Sequence, residues 1–182
     1  MEMRVNATGI EGLFLLDLEV RADEERPGGS FREVFHSRRF LELGLPPFEP
    51  VQWNISESTE GTVRGFHAEP WNKLIHVATG RAFAAIADLR AGSATAGRVW
   101  TGELDRTRAL FVGAGLGNGF QVVSDVAVYA YLVDAHWSAD ASYPAVAWDD
   151  PDLAVTWPIT DDRLSLSTKD RTNPTLRAHW ER

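Results

Sequence analysis

The chain has 182 residues, 44% of them hydrophobic, a length at which one core buries about two-thirds of the surface that the unfolded chain exposes. Its 18 Lys and Arg against 26 Asp and Glu give a net charge of −8, which would repel both a nucleic-acid backbone and an anionic membrane, so we expect neither as a partner. The chain has no cysteine, which excludes disulfides, thiolate nucleophiles and zinc–cysteine sites.

The N-terminal stretch, MEMRVNATGIEGLFLL, has acidic residues within its only short apolar run. No apolar segment approaches the roughly 20 residues that a membrane helix needs, and we therefore expect a soluble, cytoplasmic protein. The sequence contains no internal repeat, low-complexity tract or break in composition, so we expect one domain over residues 1–182.

The first predicted element is a short helix over SRRFLELG, with Ser37 as its N-cap and Gly44 as its C-terminal stop. From about Val51 to Val133 short apolar runs alternate with Gly, Ser and Asp, a pattern typical of many short strands joined by turns. It predicts an antiparallel sandwich or barrel, of which the double-sheet jelly roll is one form. A second helix is predicted near TNPTLRAHW.

The five histidines do not have the spacing of a metal site on a β-barrel. A His-x-His pair on a strand points both imidazoles to one face, and the chain has no such pair. His67 and His76 are nine residues apart, which on a regular strand places them on opposite faces. Asn118 in GLGNGF stands where a further histidine would have completed a set of ligands. We therefore predict no metal and expect metal-free chemistry.

The residues suited to acid–base chemistry are spread along the chain. The segment RGFHAEPWNK contains His67 and Lys73, VYAYLVD contains Tyr129 and Tyr131, and LSLSTKDR contains Asp170. A neutral histidine accepts a proton near pH 7, a lysine stabilises a developing oxyanion and a tyrosine hydroxyl returns a proton. Spacing alone does not assemble these groups, and an ordinary structural role remains open for each of them.

Several longer segments carry a resemblance to a known family: VRGFH, ADLRAGSATAGRVWTGEL, DVAVYAYLVDAHWS, WDDPDLAVTWPI and LSLSTKD. In this order and at these separations they resemble the dTDP-4-dehydrorhamnose 3,5-epimerase family from about Gln52 to Asp170. The resemblance implies an all-β, cupin-like double-sheet jelly roll with a few short peripheral helices. It also implies a homodimer with an exchanged N-terminal segment, no cofactor, and a dTDP-4-keto-6-deoxyhexose substrate epimerised at C3, C5 or both.

The same resemblance implies the catalytic roles. His67 matches the histidine that removes the proton next to the 4-keto group, and Asp170 matches the aspartate that pairs with it. Lys73 matches the lysine that stabilises the enolate oxygen. Tyr131 matches the tyrosine that returns a proton from the opposite face.

The resemblance likewise implies the binding residues. Arg64 matches an arginine on the nucleotide phosphates, for which its forked guanidinium is suited. Gln52 and Asn54 lie where the family contacts its ligand, and Trp137 replaces a tyrosine that flanks the sugar.

The thymine-binding residues of the family align with the segment GGSFREVF. Phe31 would stack on the thymine and Glu33 would hydrogen-bond it. The arginine of this family motif is Gly28 in the present chain, and Arg26 or Arg32 is a candidate substitute.

Two further departures concern the catalytic motifs. Only five residues separate His67 from Lys73, where the family has about ten, and Asn118 replaces a family histidine with an amide that cannot carry a proton at neutral pH. HAEPWNK and GLGNGF resemble a variant branch in which the epimerase-like domain occurs beside a reductase domain, so a 4-keto-sugar reductase is an expected partner. The alternatives left open are a single-centre epimerase and a nucleotide-sugar binding protein that has lost turnover.

Overall fold

The computed structural model describes residues 2–181; Met1 and Arg182, the ends of the predicted 1–182 domain, lie outside the described residues. The strands are β1 (Met3–Ala7), β2 (Leu13–Leu18), β3 (Arg21–Ala22), β4 (Ser30–Phe31), β5 (Gln52–Thr59), β6 (Thr62–His67), β7 (Lys73–Thr79), β8 (Ala82–Asp88), β9 (Val99–Leu104), β10 (Arg108–Val112), β11 (Leu116–Val122), β12 (Val126–Val133) and β13 (Ser165–Leu166). The helices are α1 (Ser37–Glu42), α2 (Thr168–Arg171) and α3 (Leu176–Trp180).

Two sheets face each other. One has six strands in the order β1-β2-β10-β7-β12-β5, and the other has five in the order β13-β6-β11-β8-β9. Neighbouring strands are antiparallel except β13, which runs parallel to β6; β3 and β4 form a separate two-stranded ribbon. The predicted all-β, double-sheet architecture with a few short helices is confirmed, and the strands of residues 51–133 are where the alternation indicated.

Apolar residues fill three layers. Between the sheets, Ile75 and Val77 of β7 pack with Ile86 of β8 and Leu110 of β10 in one buried cluster. A second cluster covers the outer face of the five-stranded sheet with residues of the C-terminal region, including Val146, Leu153, Trp157 and Leu176. A third covers the outer face of the six-stranded sheet with Phe40 of α1, Leu45 and Phe48. The sheets are therefore fixed from inside and from both outer faces.

The helix predicted over SRRFLELG is present, but its predicted N-cap is wrong. The Nδ1 atom of His36, in extended backbone geometry, accepts a hydrogen bond from the backbone N–H of Arg39 at 3.3 Å, so the cap is His36 and Ser37 is the first helical residue. Gly44 follows the helix with a positive φ of 77°, as expected for a stop. The helix near TNPTLRAHW is α3, with Thr175 as its N-cap, whereas α2 was not predicted.

The edge strand β5 has a polar inner face. Gln52, Asn54 and Ser56 alternate with Trp53 and Ile55, whose exposed fractions are 62% and 59%. A strand that packs against a hydrophobic core directs its apolar side chains inward, whereas β5 directs its polar side chains inward and its apolar side chains outward. The space between the sheets is therefore polar beside β5, and this is where the candidate site lies. Within residues 2–181, no helix has the length and apolarity to cross a membrane.

Candidate active site

A β-bulge in β6 brings two predicted residues to the same face. Asn118 pairs with His67 and Phe120 pairs with Arg64, so three steps along β6 oppose two steps along β11. Without the bulge, residues three apart would point to opposite faces. Gly65 lies within it at a φ of +117°, and a Cβ atom there would be 2.5 Å from the Asn118 carbonyl oxygen, so the site requires glycine.

A cavity of about 270 Å³ opens between the sheets at this bulge. A second cavity of about 280 Å³ adjoins it and shares Glu69, Tyr131 and Trp137 with it. The predicted site residues that line the first cavity are Arg64, His67, Lys73, Asn118, Tyr131, Trp137 and Asp170, and those that line the second include Gln52 and Asn54. The structure thus brings nine of the eleven predicted residues into one continuous cleft.

His67 and Asp170 form a close pair. The His67 Nε2 atom lies 2.8 Å from Asp170 Oδ1, while the Ser167 hydroxyl donates to Asp170 Oδ2 at 2.7 Å. Burial alone would raise the pKa of Asp170, but the hydrogen bonds from His67 and Ser167 outweigh it and hold the pKa below its usual value. An ionised Asp170 keeps the proton of neutral His67 on Nε2, which leaves Nδ1 free to accept one.

Lys73 lies on the inward face of β7 with only 4% of its side chain exposed. Its ammonium group forms an ion pair with Glu69 and donates to the His67 carbonyl oxygen at 3.3 Å. Burial holds the pKa of Lys73 below its usual value, and the charge and hydrogen bond of Glu69 offset only part of that shift. Burial would raise the pKa of Glu69, but the charge and hydrogen bond of Lys73 outweigh it and leave the pKa lowered. The two groups form an ion pair inside the cleft.

Tyr129 and Tyr131 point to the same side of β12 but occupy different depths. Tyr129 is fully buried, stacks on Phe120 at 3.8 Å between ring centroids and donates its hydroxyl to Asn118 Oδ1 at 3.0 Å. Tyr131 lines both cavities, and its pKa is raised by burial and by the charge of Glu69, against a smaller opposing effect of Arg64. Tyr131 therefore keeps its proton at neutral pH and can donate it into the cleft.

Polar contacts also fix the mouth of the cleft. The backbone N–H of Trp137 donates to Gln52 Oε1 at 3.0 Å, and Gln52 Nε2 donates to Asn54 Oδ1 at 2.7 Å. Trp137 is 55% exposed at this mouth. An exposed indole over a row of amides provides an apolar surface beside hydrogen-bonding groups, which suits a sugar or a base.

Phe31 and Glu33 do not reach the cleft of their own chain. Phe31 is in the β3–β4 ribbon with 67% of its surface exposed, and Glu33 forms an ion pair with Arg39. Arg32, one of the two candidate substitutes for the family arginine, donates to the Ala78 carbonyl oxygen at 2.8 Å. The predicted thymine contacts would therefore require a second chain, and they stay predictions.

The structure adds polar cleft residues that sequence reasoning missed, namely Ser56, Glu69, Ser167 and Lys169. Sequence signals could have indicated two of the four. Glu69 lies within the HAEPWNK motif, and Ser56 continues the alternate row that begins with Gln52 and Asn54. Among residues 2–181, no group of three or more acidic or histidine side chains is arranged to hold a metal ion.

Comparison with known proteins agrees with the resemblance in the motifs. The model of the dTDP-4-dehydrorhamnose 3,5-epimerase family matches residues 7–178. A Streptococcus pyogenes serotype M6 protein named Protein RmlC homolog is 38% identical over 174 residues, covering 92% of this chain and 86% of its own. The dTDP-4-dehydrorhamnose 3-epimerase of Streptomyces niveus is 37% identical over 175 residues, covering 92% of this chain and 82% of its own.

Solved structures agree as well. RmlC from Streptococcus suis, in complex with dTDP-D-xylose, has a TM-score of 0.89 and 34% sequence identity, and the match covers 97% of this chain and 93% of that one. A family model that spans almost the whole chain, relatives above 30% identity and a shared fold lead to one conclusion. The chain belongs to the dTDP-4-dehydrorhamnose 3,5-epimerase family.

Proposed function

We propose that this protein epimerises a dTDP-4-keto-6-deoxyhexose in deoxysugar biosynthesis, at C3, C5 or both. The observation that carries the proposal is the placement of two proton-transfer groups on opposite walls of one cleft. His67 comes from β6 of the five-stranded sheet, and Tyr131 comes from β12 of the six-stranded sheet. A sugar ring between them would present one face to each, which is what inversion of a carbon centre requires.

The reaction divides into two proton transfers. His67 Nδ1 takes the proton from a carbon next to the 4-keto group, and the electron pair of the broken C–H bond forms an enolate whose negative charge rests on the former carbonyl oxygen. The Tyr131 hydroxyl then gives its proton to the same carbon from the opposite face, and the carbonyl re-forms. The imidazolium and the phenolate left behind return to their starting states by exchange with solvent.

Lys73 and Asn118 are the donors available to the enolate. A buried ammonium interacts strongly with a developing negative charge, and removal of one such donor in other enzymes costs on the order of 10²–10³ in rate. Because Asn118 Oδ1 accepts from Tyr129, its Nδ2 amide is the group left to donate to a sugar oxygen. The product retains the 4-keto group, so a 4-keto-sugar reductase is the class of partner we propose to act next.

NMR of dTDP-4-keto-6-deoxyglucose with the protein in D₂O tests the proposal. Deuterium should enter at C3, C5 or both, together with inversion at the exchanged centre. Exchange and inversion at one centre alone would make the protein a single-centre epimerase. Binding of dTDP with no deuterium incorporation would contradict the proposal and favour a nucleotide-sugar binding protein.

Arg64 is proposed to bind the nucleotide phosphates. It is exposed in the cleft, and among the described residues it has no hydrogen bond or ion pair that a phosphate would have to displace. We expect Arg64→Ala to weaken dTDP binding by about 1.5–3 kcal/mol, the range for hydrogen bonds to charged groups. Calorimetry measures the change, and Arg98→Ala, outside the cleft, is the matched control. Unchanged affinity in Arg64→Ala would remove Arg64 from the site.

The protein is also proposed to be a homodimer that exchanges its N-terminal segment. Phe31 is exposed outside its own cleft, and Val51, just before β5, forms an outward row with Trp53 and Ile55 of β5 in which each side chain is more than half exposed. A row of large apolar side chains on an edge strand favours contact with another chain. We expect sedimentation at micromolar concentration to give the mass of a dimer, whereas a monomeric mass would contradict the exchange.

A further inference from the structure

Glu69 is a largely buried carboxylate to which neither the motifs nor the proposed proton transfers give a role. It lines both halves of the cleft, and its carboxylate contacts the Lys73 ammonium group directly. With 19% of the Glu69 side chain and 4% of the Lys73 side chain exposed, little water is available to solvate either charge. An ammonium buried without a counterion would lose its proton.

The loop between these two residues is fixed by several contacts. The Asn72 backbone N–H and side-chain amide donate to the two carboxylate oxygens of Asp134 at 2.9 and 2.7 Å, and Asn72 Oδ1 accepts from the Ala114 N–H at 3.1 Å. The Gly115 N–H donates to the Glu69 carbonyl oxygen at 3.1 Å. The backbone of Glu69 is therefore fixed by these contacts, which hold its carboxylate beside Lys73.

We propose that Glu69 is a positioning residue for Lys73, supplying the negative charge that keeps the ammonium group protonated and directed into the cleft. The effect of Glu69 on catalysis rests on the proposed function, whereas its effect on the charge of Lys73 does not. An enolate-stabilising lysine is useful only while charged, so a buried lysine in this role requires a counterion.

The other titratable groups around Lys73 do not supply that charge. His67 offers Lys73 its backbone carbonyl, and its imidazole is paired with Asp170. Tyr131, on the neighbouring strand β12, keeps its proton. Asp134 is engaged with Asn72. Glu69 is the acid in contact with the ammonium group, and its charge also favours the protonated form of Tyr131.

The chain contains only two lysines, Lys73 and Lys169, so lysine-labelled protein gives an NMR titration of two side chains. Lys169 is exposed and serves as the internal control, and Lys169→Arg assigns the remaining signal to Lys73. We expect Lys73 of the wild-type protein to be an ammonium at pH 8. A neutral Lys73 at that pH would overturn the proposal without any variant.

Glu69→Gln retains a hydrogen-bond acceptor of the same size and removes the charge. This substitution should lower the titration midpoint of Lys73 by about one pH unit or more, which is a tenfold fall in the charged fraction above the midpoint. The titration midpoint of Lys169 should not change. The alkaline limb of deuterium exchange should move to lower pH by the same amount. Glu69→Asp, which keeps the charge, should hold the Lys73 midpoint closer to wild type, and exposed Glu57→Gln should change neither quantity.

A Lys73 midpoint that stays in place in Glu69→Gln would overturn the proposal, as would equal midpoints in Glu69→Asp and Glu69→Gln. If the wild-type protein exchanges no deuterium, the proposed function fails, while the lysine titration still decides whether Glu69 is the counterion. If Glu69 had a purely structural role, its substitution would alter stability, but the titration midpoint of Lys73 would not differ between Glu69→Asp and Glu69→Gln.

Discussion

His67→Asn should abolish the entry of solvent deuterium into the substrate. Asparagine keeps a polar side chain beside Asp170 but has no nitrogen that accepts a proton at neutral pH. General base catalysis typically contributes about 10²–10⁴-fold, so the exchange rate followed by NMR in D₂O should fall by at least about 10²-fold. Affinity for dTDP should stay within about threefold, roughly 0.7 kcal/mol, because the proposed phosphate contact of Arg64 is untouched.

His76→Asn is the matched control for that substitution. His76 lies on the other side of β7 from Lys73, and burial, together with the charge of Arg32, lowers its pKa to about 4. It is therefore neutral at pH 7 and stands outside the cleft. Exchange in His76→Asn should match the wild-type rate. Retained exchange in His67→Asn would show that another group is the base.

The central sheets were predictable because their residues alternate. In β7, Lys73, Ile75 and Val77 point between the sheets and Leu74 points outward, as period-two geometry requires. Strand β2, with the sequence LFLLDL, has apolar residues on both faces because Leu13 and Leu15 pack between the sheets, while Phe14, Leu16 and Leu18 pack in the third apolar cluster. A continuous apolar run of that length does not distinguish a strand from a buried helix.

The site was only partly predictable, for geometric reasons. The spacing of Arg64 and His67 places them on opposite faces of a regular strand, and only the bulge at Gly65 aligns them. Nothing in the residue types fixes such a bulge from the sequence, although a glycine within a strand is compatible with one. The role of Glu69 depends on its contact with Lys73, which the fold of the loop between them creates. The distance between the two side chains could not be predicted from the HAEPWNK segment alone.

The positions of Tyr129 and Tyr131 show the same limit. Residues two apart on a strand share a face, so the sequence alone left either tyrosine able to face the ligand. The structure distinguishes them by depth, since Tyr129 is engaged with Phe120 and Asn118 within the core, whereas Tyr131 lines the cleft. This difference changes what each substitution should do to the reaction.

Tyr131→Phe should uncouple deuterium exchange from inversion. Phenylalanine keeps the ring and removes the phenolic proton, so His67 should still form the enolate and return a proton to the original face. Epimer formation should fall by about 10²–10⁴-fold, the usual contribution of a general acid, while exchange falls less. NMR in D₂O measures both rates in one sample, and their ratio is the quantity that the proposed mechanism predicts.

Tyr129→Phe is the control. Although it perturbs the site, the ratio of inversion to exchange still distinguishes it from Tyr131→Phe. Loss of the Tyr129 hydroxyl leaves Asn118 Oδ1 without its donor at 3.0 Å, which should slow exchange and inversion together by weakening the position of Asn118. The ratio of inversion to exchange should therefore stay at the wild-type value in Tyr129→Phe and fall only in Tyr131→Phe. A fall in Tyr129→Phe alone would make the deeper tyrosine the acid. An unchanged ratio in both variants would mean that water or another side chain protonates the enolate, because neither phenol would then control the face on which the proton arrives.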